Sequence, residues 1–112
     1  MESRAFITIA EKNMKHILPV ENIMRMKAAR VYTIFYAKDG KQYVCCKRLG
    51  EVLKELEQGM FFRIHKSHII NLREIKVYQH AKTGQVIMKD NTVISVATRR
   101  KKELLRVLEK LR

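Results

Sequence analysis

From Phe6 to Cys46 apolar and polar residues alternate in short bursts, the two-residue period of strands that bury one face. The pattern predicts strands at Phe6–Ile9, Lys15–Leu18 (broken at Pro19), Ile23–Met26, Val31–Ala37 and Gln42–Cys46. The last two flank Lys38-Asp39-Gly40-Lys41, where Asp-Gly is a strong hairpin-turn signal. Between Arg48 and Glu57 the period lengthens. Leu49, Val52, Leu53 and Leu56 fall on one face of a short helix that ends near Gly59.

Strand character then returns at Phe61–His65, His68–Leu72, Ile75–Tyr78, Gln85–Met88 and Thr92–Val96, with turns at Thr83-Gly84 and Asp90-Asn91. The last segment is helical again. Leu104, Leu108 and Leu111, helped by Leu105, form an apolar stripe opposite Lys102, Arg106 and Glu109, and Thr98 is positioned to cap its start. The expectation is a mainly β chain of short antiparallel strands with one short mid-chain helix and a C-terminal helix. With no internal repeat or linker, the 112 residues read as a single domain over 1–112.

Charge changes the picture most. Twenty-four Lys and Arg against eleven Asp and Glu give a net charge of +13. Such self-repulsion is destabilising unless a polyanion offsets it, and nucleic acid is the commonest such partner through counterion release. A membrane surface would want a long basic amphipathic helix, which only the C-terminal segment approaches, so no membrane partner is expected. No apolar run is long enough to span a bilayer and no signal peptide opens the sequence, so the chain reads as cytoplasmic.

Catalytic and metal chemistry find little support. Cys45 and Cys46 are adjacent and point to opposite faces of a strand, as one core thiol and one outward neighbour. His65 and His68, read on a strand, also fall on opposite faces, without ligands in metal spacing. His65 is expected to pack or hydrogen-bond beside a turn, and His16 and His80 to lie at the surface. Asn71 is expected to bond local backbone at a strand end. Tyr32, Tyr36, Tyr43 and Tyr78 fit core positions better than base-stacking ones. No carboxylate pair, Gly-rich phosphate loop or nucleophile elbow appears, and no cofactor is implied.

The stretch Phe61-Phe62-Arg63-Ile64-His65-Lys66-Ser67-His68-Ile69-Ile70-Asn71-Leu72-Arg73-Glu74-Ile75 resembles the central signature of the LytTR family. Three further features stand in the family's order. They are Glu21 to Met26 leading to Tyr32-Thr33, the Asp39-Gly40 hairpin followed by the Leu49–Glu57 helix, and Val93 to Lys102 running from strand into basic turn and helix. The resemblance implies a mostly β fold whose loops, rather than a recognition helix, enter the DNA major groove. It places contacts at the Lys27 to Val31 loop, around Lys66-Ser67, and from Ala97 to Lys102.

By that resemblance the DNA-binding residues are Lys27, Arg30, Tyr32, Lys66, Ser67, Thr98, Arg99, Arg100 and Lys102. Arg99 is the expected base reader, because a guanidinium can grip guanine O6 and N7 together. Lys66 suits a phosphate contact. This chain departs from the family in being more basic at Lys27 and Arg30, in having Ala97 where the third loop usually has Ser, and in lacking a first-loop His, whose part falls to Tyr32 or Arg30. The resemblance implies a bacterial transcription regulator, often part of a two-component response regulator, acting on double-stranded DNA at promoter direct repeats. Two copies per site or a homodimer, and a receiver or sensor domain or protein as partner, belong to the same expectation. The chain is then a stand-alone regulator or an excised domain. The competing readings from other classes are a small basic RNA-cleaving toxin and an RNA-binding protein.

Overall fold

The computed structural model describes residues 6–56, 59–80 and 84–110. Glu57, Thr83 and Leu111 of the expected elements lie outside them. The described strands are β1 Phe6–Glu11, β2 Met14–Pro19, β3 Ile23–Ala29, β4 Tyr32–Ala37, β5 Gln42–Cys45, β6 Phe61–His65, β7 His68–Asn71, β8 Ile75–Gln79, β9 Gln85–Met88 and β10 Val93–Ser95. Helix α1 covers Leu49–Glu55 and α2 covers Lys101–Glu109. The expected mainly β architecture with a mid-chain and a C-terminal helix is what the chain adopts.

The strands form three antiparallel sheets: the β1–β2 hairpin, a central sheet in the order β5-β4-β3-β7-β6, and an outer sheet in the order β10-β9-β8. Both faces of the central sheet are covered, and each has its own core. On one face Ile23, Met26, Phe35 and Ile69 pack with Ile7 and Ile9 of the hairpin and Leu49 and Val52 of α1. On the other, Met24, Phe62, Ile64 and Ile70 pack with Val86, Met88, Ile94 and Leu104. Adjacent strand residues point to opposite faces, so a strand buried on both sides carries apolar doublets. Phe61-Phe62 and Ile69-Ile70 are such doublets, one member in each core. Fully burying one of these side chains stabilises the fold by about 1.5–3 kcal/mol.

Several local expectations need correction. Thr98 does not cap the last helix. It opens a 3-10 turn, Thr98–Arg100, and α2 starts after Arg100 with no side-chain cap. The buried stripe of α2 is Leu104 with Val107 and Leu108 packed against it, and Leu105 is not part of that packing. None of the tyrosines is fully buried. Tyr32 is exposed, Tyr43 and Tyr78 lean on the rims of the two cores, and Tyr36 lies under the Arg25 guanidinium at 3.7 Å. Cys45, the last residue of β5, is buried, and Cys46 just past the strand is exposed.

The antiparallel register gives the central sheet two distinct ends. One carries the Asp39-Gly40 turn and the links from Lys38 N–H to the Asn22 carbonyl and from Leu72 N–H to the Met60 carbonyl, each 2.8 Å. At the other end β3 turns into β4, β6 turns into β7, and the chain leaves β10 for α2. That second end holds most of the residues singled out above.

Candidate nucleic-acid interface

The first turn is shorter than expected. β3 continues to Ala29, so Lys27 is an exposed strand residue paired with Ile34 and His68, and only Arg30 and Val31 form the bend. Arg30 sits at φ 62, a left-handed conformation in which the Cβ of an ordinary residue is crowded. Tyr32 opens β4 on the far side of the bend, 44% exposed.

The second turn is Lys66-Ser67, and here the strand reading of the histidines fails. His65 and His68 belong to different strands and are cross-strand partners, so they share a face, with ring centroids 5.5 Å apart. His65 Nδ1 accepts the Ser67 N–H at 3.1 Å, bonding beside the turn as expected. Burial first, then the positive charge of His65, Arg25 and Lys27, pushes the His68 pKa down to about 4, so it is neutral at physiological pH. Among the described residues no three His, Cys, Asp or Glu side chains group closely enough to hold a metal ion.

Backbone hydrogen bonds tie the three turns into one end of the molecule. The Ala28 N–H donates to the Ser67 carbonyl at 2.9 Å, joining β3 to the second turn. The Ala97 N–H donates to the Ile64 carbonyl at 3.0 Å, hanging the third segment on β6. From there the Thr98–Arg100 turn leads into α2, whose first turn exposes Lys102.

Side chains follow. Lys66, Arg99 and Arg100 line one surface depression of about 370 Å³, with Arg63, His65 and Ala97 as its remaining walls. Arg30 lines a second depression that shares Arg63. Arg30, Lys66 and Arg99 therefore surround one residue instead of scattering over separate faces. Among the described residues Lys27, Arg30, Lys66, Arg99 and Lys102 have no carboxylate within ion-pair distance, and Arg100 reaches Glu103 only at 3.8 Å. Lys27, Tyr32, Ser67, Thr98 and Lys102 line neither depression.

Arg63 is the residue that reading the sequence missed as part of this site. Its Nη2 donates to the Lys66 carbonyl at 2.6 Å, and it walls both depressions. The only signal in the chain was its place inside the Phe61–Ile75 signature, which marks a strand position without saying what the side chain reaches. Asn71, by contrast, behaves as expected. Its side chain caps the Arg73 N–H at 3.0 Å and also crosses to the Ile23 carbonyl at 2.9 Å.

Cationic turns gathered at one end of a double-faced β scaffold, all but Arg100 without an acidic partner among the described residues, define a module suited to holding a polyanion. The LytTr DNA-binding domain model matches residues 13–109, and the chain belongs to that family. Its fold is similar to the solved LytTr DNA-binding domain of a Bacillus cereus protein named as a methyl-accepting/DNA response regulator. That likeness has a TM-score of 0.82 and 20% identity, over 94% of this chain and 97% of the other. No curated protein matches the chain. Among the described residues no helix is long and apolar enough to cross a membrane.

Proposed function

We propose that this chain is the DNA-reading part of a cytoplasmic transcription regulator, a single non-catalytic domain over residues 1–112 that binds double-stranded DNA sequence-specifically through its turns. The observation that carries the reading is the convergence of Arg30, Lys66, Arg99 and Arg100 around Arg63, with only Arg100 near a carboxylate, Glu103 at 3.8 Å. Arg99 reads a base edge in the major groove, where a bidentate guanidinium contact discriminates by about 1–3 kcal/mol. Lys66, Ser67, Thr98, Arg100 and Lys102 hold phosphates, which fix register without carrying sequence information. Lys27, Arg30 and Tyr32 serve the neighbouring groove from the β3–β4 side.

A receiver or sensor partner fits the similar domain's being named as part of a response regulator, and two copies on promoter direct repeats belong to the same proposal. The test is a gel-shift series with selected duplexes, random duplexes and single-stranded RNA at two salt concentrations. Selected duplexes should win, and Arg99→Ala should lower their affinity about 10–100-fold while barely changing random-duplex binding. Equal binding to all three nucleic acids, or RNA cleavage, would sink the reading.

A further inference from the structure

Beside the first turn lies a depression of about 400 Å³ whose walls include Arg30, Arg48, Lys54 and Arg63. We propose that it takes a backbone phosphate of bound DNA, extending the contact surface from the three turns onto helix α1. The proposal rests on the duplex-binding reading above and adds contacts that the turns do not supply.

Four cations face this space and none has an ion-pair partner among the described residues. The one carboxylate in the walls, Glu51, is turned to the helix's own start, where its Oε1 accepts the Arg48 N–H at 2.9 Å. Neighbouring Lys47 makes the contrast, because it is paired with Glu55. Crowding like charges without a counter-ion is unfavourable, and an anion seated among them removes that cost.

The walls are also held in place. Thr33, fully buried, donates its hydroxyl to the Lys47 carbonyl at 2.8 Å, which fixes the chain just before Arg48. Arg63 is braced from the opposite side by its bond to the Lys66 carbonyl. Its Nε is buried without a partner, so this guanidinium is not fully satisfied by the protein. Gly50 lies in the first turn of α1, where alanine would favour the helix more. A Cβ there would stand 3.4 Å from Arg63 Nη1, so any longer side chain would grow into the depression. The bare backbone keeps it open.

Phosphate is the ligand that this chemistry selects: guanidinium forks match its oxygens and a lysine adds a point charge. A duplex is favoured over a free polyphosphate because Arg30 belongs to the first turn and Arg63 also walls the depression of Lys66 and Arg99. One backbone can then run across both.

The experiment compares wild type, Arg48→Gln/Lys54→Gln and Lys47→Gln for duplex affinity across a salt series, with pyrophosphate added in a parallel thermal-shift arm. All three substituted side chains are exposed, so the melting temperature should hold. The double variant should lose about 0.9 from the slope of log affinity against log salt, the share of one phosphate contact. Its preference for selected over random duplex should not change, and Lys47→Gln should leave the slope alone. An unchanged slope in the double variant overturns the proposal, and pyrophosphate protection in that case reassigns the site to a small anion. Failure of the wild type to bind any duplex overturns the parent reading along with it.

Discussion

The two ends of the central sheet are both closed by short turns, and they use opposite chemistry. At the Asp39 end two polar side chains complete the backbone. Asp39 accepts the Lys41 N–H at 2.9 Å, and Asn71 caps the Arg73 N–H at 3.0 Å. On the outer sheet next to it, Asp90 accepts the Thr92 N–H at 2.9 Å. Left-handed positions here fall to Gly40 and Asn91, the residue types that adopt them cheaply. Lys38 pairs with Glu74 at 3.3 Å. At the other end the left-handed position is Arg30, the β6–β7 turn carries Lys66, and α2 starts without a side-chain cap. Lys12 of the β1–β2 turn is left-handed too, at φ 53, but within the central sheet local rules are kept at the Asp39 end and broken together at the end where Arg30, Lys66 and Arg99 lie. Such clustered departures are what a binding surface leaves in a sequence.

The comparison is broken most forcefully through Asn71, the most buried polar side chain of the well-satisfied end, at 2% exposure. Asn71→Ala strands the Ile23 carbonyl and removes the cap on the Arg73 N–H. The expected loss is about 2–4 kcal/mol of stability, read from urea unfolding. Duplex affinity of the folded protein should stay within a few-fold of wild type. A large affinity loss with little change in stability would show that the two ends are not functionally separate.

The same contrast explains what could be read from the chain. Alternation located the strands, and Asp-Gly and Asp-Asn marked the turns of the stable end, because those residues act on their own backbone. The β6–β7 hairpin was harder. Lys66-Ser67 contains Ser but no Gly, Pro, Asn or Asp, so the break between the two strands is legible while the tight reversal that makes them partners is not. His65 and His68 were therefore placed on opposite faces of one strand when they face each other across two. The start of α2 was misplaced for a related reason, since Thr98 looks like a cap but begins a 3-10 turn. Family resemblance supplied Arg30, Lys66 and Arg99. The role of Arg63 depends on β6 lying between α1 and the third segment, which is a tertiary fact.

Arg30 offers a sharper and smaller test at the other end. Glycine meets no steric penalty at φ 62, so Arg30→Gly should stabilise the fold by roughly 1 kcal/mol. The guanidinium is lost at the same time, and duplex affinity should fall about tenfold, in line with one charged contact. Opposite signs in urea unfolding and in the gel shift are the expected signature. If stability and affinity move in the same direction, Arg30 is a structural turn residue and the contrast between the ends loses its strongest member.

The last test is in the pH dependence of stability, which reports burial first and the neighbouring positive charge second. His68 has a folded pKa of about 4 against 6.5 for a free imidazole, lowered first by burial and then by His65, Arg25 and Lys27. Between those values the unfolded chain binds the proton more readily than the folded one. The His68 contribution to stability therefore declines as pH falls from about 6.5 and levels off near 4. His68→Gln should flatten that part of the profile without altering it above pH 7. Lys27→Gln removes one of the repelling charges, so an NMR titration of His68 should move toward the ordinary histidine range. Bound duplex should move it further in the same direction, because phosphates offset the same field. An immobile His68 resonance on adding duplex would place the DNA away from the β3–β7 side of this end, and would limit contact to the turn carrying Arg99.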